Sequence, residues 1–144
     1  MLFERWESQA ALDAHIAALR ATRDHLAGLV TGLDADAILA PSYDTEWSIG
    51  QVLSHLGSQA EIFELFLEAG LSGQPAPGGE AFQPIWDVWN AKDPIGWRDD
   101  YLAASEREVS TFESLDDATI EAFSISMFGM DMDLVEGMRF DKGY

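Results

Sequence analysis

Leucines recur at seven-residue steps through the first part of the chain, at Leu12, Leu19, Leu26 and Leu33, with Ile16, Arg23 and Val30 filling the other positions of the same seam. An apolar stripe with that repeat predicts a bundle helix over about Glu7 to Leu33. Arg23 is the one polar interruption of the seam. A guanidinium flanked by Ile16 and Val30 must reach a partner or a wet pocket, so its plain reading is a structural ion pair or a snorkelling side chain. After Pro41 and the turn-forming Ser42, Asp44 and Thr45, Ser48 and Gln51 have the spacing of a capping box and predict a second helix from Ser48 to Gly70. Its apolar stripe runs through Val52, Leu53, Leu56, Phe63, Phe66 and Leu67, while Glu61, Glu64 and Glu68 read as a solvated side.

The stretch from Gly70 to Pro84 holds Gly70, Gly73, Pro75, Pro77, Gly78, Gly79 and Pro84, and reads as a long loop that either lids a pocket or makes a surface excursion. Ile85, Trp86, Val88 and Trp89 then suggest a short helix packed on the bundle. Asp93 and Pro94 make a cap and first-position pair for a third long helix, about Pro94 to Leu115. Ile120 to Met130 mixes apolar residues with Ser124, Ser126 and Gly129 and is ambiguous, and Met132 to Phe140 could open a fourth helix. No internal repeat and no sustained strand alternation interrupts this pattern. The expectation is a single all-α domain over residues 1–144.

Charge narrows the partners. Lys plus Arg number 8 against 26 Asp plus Glu, a formal charge of −18, and no basic cluster is present to meet phosphates or anionic lipid. Nucleic acid and membrane are therefore poor partners. The 47% hydrophobic content is that of a chain that builds a core. With no cysteine, disulfides, thiolate metal sites and cysteine nucleophiles are excluded together, and any thiol chemistry needs a thiol from outside. The N-terminal Met1 to Glu7 is charged and lacks the apolar run of a signal peptide, so the cytoplasm is the default expectation.

Generic catalytic signatures are missing: there is no phosphate loop, no dinucleotide fingerprint and no His-Glu-x-x-His, and Asp131-Met132-Asp133 lacks the rest of a calcium loop. Three histidines remain as groups that titrate near neutrality. His15 and His25 lie on the first helix about 80° apart and read as surface or satisfied residues. His55 lies one turn past Gln51, beside Val52 and Leu56, so its ring should look into the bundle's edge, with Gln59 on the same face able to fix its tautomer. A single histidine is more often structural than a ligand, because a metal needs at least about three convergent donors.

The run Glu46-Trp47-Ser48-Ile49-Gly50-Gln51-Val52-Leu53-Ser54-His55-Leu56 resembles the Trp-Ser/Thr to His-Leu signature of the DinB-like superfamily, and more narrowly the N-terminal domain of the mycothiol-dependent maleylpyruvate isomerase family. The preceding Pro41-Ser42, the leucine-rich first helix with Arg23, and Phe128 to Leu134 fit the same pattern. The resemblance implies a DinB-like four-helix up-down bundle holding one divalent metal, zinc or nickel, with His55 as the ligand from the second helix. It also implies an open metal position for mycothiol, found in actinobacterial relatives, or another low-molecular-weight thiol, which would bind as the thiolate and attack a small electrophile. Arg23, from its position, is a candidate to hold a substrate carboxylate.

The sequence departs from that family at its end. After Gly137-Met138-Arg139 the family has a Glu and a His four residues later, whereas here Phe140-Asp141-Lys142-Gly143-Tyr144 follow and Lys142 stands at the carboxylate position. The expected fourth helix is thus short or truncated and the metal triad incomplete. The last ten residues, from Val135, also resemble a short stretch of group I chaperonins, too short to carry an assignment. Two functions stay open: a metal- and thiol-dependent isomerase or transferase, or an inactive bundle serving as a dimerisation or partner-binding module. A homodimer would cover the groove that three long helices leave open.

Overall fold

A computed structural model describes residues 2–42, 46–115, 125–127 and 130–132; of residues 2–9, 125–127 and 130–132 only the backbone is described. Five helices precede a short hairpin among these residues: α1 (Leu2–Val30), α2 (Ala35–Ile38), α3 (Ile49–Ser72), α4 (Gly79–Asn90), α5 (Pro94–Ser114), β1 (Ile125–Met127) and β2 (Met130–Met132). The helical class is as expected. β1 and β2 pair antiparallel, Ser126 facing Asp131, so part of the ambiguous Ile120–Met130 stretch is strand, and so is Met132. The proposed fourth helix beyond it, like the last-helix ligand positions, lies outside the described residues.

The caps behave as their chemistry requires. Ser48 Oγ accepts from the Gln51 amide at 3.1 Å and Gln51 Oε1 accepts from the Ser48 amide at 2.8 Å, which closes the capping box and starts α3. Asp93 accepts from the Gly96 amide at 2.6 Å, with Pro94 opening α5. Gly73 ends α3 in the left-handed region, φ 71°, where glycine carries no Cβ penalty.

Two expectations about loops need correction. α3 runs on to Ser72 and α4 begins at Gly79, so Pro84 is inside a helix and the irregular stretch is only 73–78. Pro84 removes one helical hydrogen bond, to the Glu80 carbonyl, but Phe82, Ile85 and Trp89 give α4 an apolar face whose burial outweighs that loss. α1 stops at Val30 rather than Leu33, and Asp34 caps the unforeseen α2 by accepting from the Ala37 amide at 2.9 Å.

The four longer helices, α1, α3, α4 and α5, alternate in direction. Arg98 of α5 reaches the Leu33 carbonyl while Glu113 reaches Arg20, so α1 and α5 run oppositely. Phe66 meets Phe82 and Gly57 meets Trp89, so α4 runs back along α3. α4 is thereby the return leg that lets α5 run alongside α3 in the same direction, with Phe63 on Phe112 at 5.4 Å. The core forms two clusters, one around Leu12, Phe63, Leu67 and Phe112, the other around Val30, Ile38, Leu53, Trp89 and Tyr101. Among the described residues no helix is long and apolar enough to cross a membrane.

Candidate functional site

The segment before α3 is tied down by its own polar groups. The Ser42 amide and hydroxyl both donate to the Trp47 carbonyl, at 2.9 and 2.8 Å, and the Ile49 amide donates to the Ala40 carbonyl at 2.9 Å. Pro41 and Ser48 form an isolated bridge across the turn. With its backbone fixed, Trp47 keeps its indole 40% exposed, and the ring meets His55 edge to face at 5.5 Å between centroids, 64° between planes. T-shaped contact of this kind orients both rings.

His55 itself is exposed, not turned into the edge of the bundle as its neighbours Val52 and Leu56 suggested. Its carbonyl accepts from Ser58 Oγ at 3.0 Å, and among the described residues no hydrogen bond reaches its imidazole. Gln59, one turn on, is half-buried. The sequence neighbours misled because α3 turns a different face to its partners: Leu53, Gly57 and Ala60 are the buried positions. His25 is exposed and His15 half-buried, both on α1.

A divalent-metal centre needs about three or more converging donors. Among the described residues no group of three His, Asp or Glu is placed to hold one. His55 is one exposed nitrogen donor, and the described residues alone do not fit a complete metal centre.

Arg23 stands on a different seam. Its Nη2 donates to the Leu102 carbonyl at 3.0 Å and its Nε to Ser105 Oγ at 3.2 Å, with Glu106 at 3.6 Å. The guanidinium thus ties α1 to α5, as the structural reading of the leucine seam expected. Beside it is a residue that the seam pattern did not single out. Arg20 grips Glu113 with Nε and Nη2, at 3.2 and 2.7 Å, and donates from Nη1 to Glu106 at 2.6 Å and Asp24 at 3.2 Å. Hydrogen bonds from Arg20 hold the Glu106 and Glu113 carboxyls below the usual range, and those carboxylates raise the guanidinium in turn. The seven-residue interval between Glu106 and Glu113 was the available signal.

On the α3–α5 side, Glu61 and Glu64 are half-buried rather than fully solvated. Arg107 lies 3.7 Å from the first and 3.3 Å from the second. With Glu68, Leu71 and Ile85 they line an open groove of about 470 Å³ to which His55 does not contribute.

The fold is that of a helical bundle, with His55 exposed on its second long helix and in contact with Trp47. The chain belongs to the mycothiol maleylpyruvate isomerase N-terminal domain family, whose sequence pattern it matches over residues 19–122. Among solved structures, a mycothiol-dependent maleylpyruvate isomerase shares the fold with a TM-score of 0.73 at 12% identity, over 92% of this chain and 56% of that one. The chain therefore spans little more than half of that protein's length. A comparison with curated protein sequences finds no match.

Proposed function

We propose that this chain is the helical domain of a mycothiol-dependent isomerase or thiol transferase acting on small electrophilic substrates, and that His55 contributes one donor to a divalent cation, zinc or nickel. The observation that carries this reading is the Trp47–His55 pair: an exposed imidazole, unengaged by hydrogen bonds among the described residues and fixed by an anchored indole. Family membership supports the thiol, and the absence of cysteine from the chain agrees with a thiol supplied from outside. A preset ring loses little freedom on taking a ligand, which favours a binding role over a purely structural one.

Arg23 enters this reading as a candidate for the substrate carboxylate. Its donors to Leu102 and Ser105 favour the fastening role instead. The test of the donor assignment is zinc titration of the full chain by calorimetry, with His55→Ala beside it. Stoichiometric binding lost in the variant supports the reading. Binding unchanged in the variant contradicts it, and no binding by the wild type leaves the inactive bundle, whose self-association sedimentation equilibrium would then report.

A further inference from the structure

The open groove between α3, α4 and α5 has a mixed wall. Glu61, Glu64, Leu65, Glu68 and Leu71 fall on one side of α3, and from Glu61 to Leu71 they extend about 15 Å along its axis. Leu65 and Leu71, with Ile85 from α4, give the groove an apolar floor. Leu71 is 37% exposed, an apolar side chain that water covers at a cost. The volume of about 470 Å³ lies within the range of small-molecule sites.

Charge decides what kind of molecule suits it. Three carboxylates meet one guanidinium there, and that guanidinium is loosely seated: Arg107 Nε donates to Glu64 at 3.3 Å, while its Nη2 stands 3.7 Å from Glu61. The Arg107 side chain is 54% exposed, where those of Arg20, Arg23, Lys92 and Arg98 are 19–27% exposed. A pair so exposed holds its cation weakly. One turn beyond Glu64, Glu68 is exposed, and among the described residues neither a cation nor a hydrogen-bond donor meets its carboxylate. Arg107 thus shows which charge the groove accepts, and Glu68 offers the same attraction between Leu65 and Leu71.

We propose that this groove binds a small organic cation, a primary ammonium or guanidinium on an apolar body, with the charge at Glu68 and the body laid on Leu65, Leu71 and Ile85. The excess of carboxylates repels an anion of the same shape, and a bare inorganic cation makes no use of the floor. Apolar contact supplies the attraction to the floor, and Glu68 sets the sign of the charge and the orientation of the ligand. The inference goes beyond the isomerase reading and does not depend on it, because His55 lines no part of the groove.

The probe is n-hexylammonium, titrated into the full chain at constant ionic strength while 1H–13C correlations follow the methyl signals of Leu65, Leu71 and Ile85. Those signals are expected to move along one saturating curve. Hexanoate, the same body with the opposite charge, is expected to leave them in place, and methylammonium, the charge without the body, to give no saturation. Glu68→Gln is expected to weaken hexylammonium binding about two- to fivefold. Arg107→Gln, which removes the competing cation from Glu61 and Glu64, is expected to strengthen it by a similar factor. Asp36→Asn, which removes one charge from an exposed position on α2, is expected to leave it unchanged. The proposal is overturned if no shift saturates, if hexanoate or methylammonium binds as well, if Glu68→Gln binds like wild type, or if Arg107→Gln does not bind more tightly. An equal loss in Asp36→Asn also overturns it, since the cation would then answer to the net charge of −18 and not to the groove.

Discussion

Arg20 and Arg23 lie one turn apart on α1 and divide the work of fastening it to α5. Arg23 gives its shorter hydrogen bonds to a carbonyl and a hydroxyl and a longer one, 3.4 Å, to Asp24, while Arg20 collects three carboxylates. Because Glu106 and Glu113 have folded pKa values lowered by Arg20, their contribution to stability is present above the unfolded carboxyl value, about 4.3, and is lost as pH falls through the lower folded values. Acid scans of Tm from neutral pH to about pH 3 should therefore show wild type losing more stability than Arg20→Gln; parallel curves would contradict the clasp. At this scale the sequence was half legible. A charged residue inside a leucine seam signals that it has a partner, so Arg23's structural role could be expected. That Arg20 would be the better-connected of the two could not, because two of its three partners, Glu106 and Glu113, come from a distant helix, 86 and 93 residues along the chain. The Trp47 run singled out His55 as a candidate, but its exposure was not legible, since which face of α3 is buried depends on where the rings of Trp89 and Trp97 arrive.

Caps and breakers decide the elements. Ser48 and Gln51 satisfy each other at the start of α3, and Ser48→Ala should cost about 0.5–2 kcal/mol by denaturant unfolding. A change near zero would mean that the helix start is held by the Ser42–Trp47 and Ala40–Ile49 backbone bonds alone. Pro84 is the opposite case, a breaker tolerated within α4 because aromatic burial holds the helix on α3. Pro84→Ala restores the missing amide and is expected to stabilise by about 1–3 kcal/mol; a loss of stability would show that the helix needs its break there. The cluster of glycines and prolines marks a boundary, but the loop expected from Gly70 to Pro84 is too wide at both ends, the irregular stretch being 73–78. Gly78, Gly79 and Pro84 are poor helix formers by local propensity, and the contact that overrules them, Phe82 on Phe66 of α3, is tertiary. The caps that open α3 and α5 were legible because each is a contact between residues three apart, whereas the same contact from Asp34 to Ala37 opens a helix of only four residues, too short to leave a periodic pattern.

Over the whole molecule, 26 acidic residues face 8 basic ones, and the few cations are largely committed: Arg20 and Arg23 to α5, Arg98 to the end of α1, Lys92 to Asp100, Arg107 to the α3 glutamates. The remaining carboxylates repel one another, so moderate salt should raise Tm by screening that repulsion; a Tm that falls steadily with salt would mean the ion pairs outweigh it. The fold class was legible from periodicity alone, because three long helices each carry a continuous apolar stripe. The return path through α4, which lets α3 and α5 lie parallel, was not, since the seating of the Trp89 ring on Gly57 leaves no periodic trace. Family membership rests on the region from 19 to 122, which contains the Trp47–His55 pair. The donor assignment is the claim on which the functional account turns. Its most direct test is elemental analysis of the purified full chain alongside His55→Ala. About one zinc or nickel per chain in the wild type, and none in the variant, is the predicted result, whereas a metal content that the substitution leaves unchanged would contradict it.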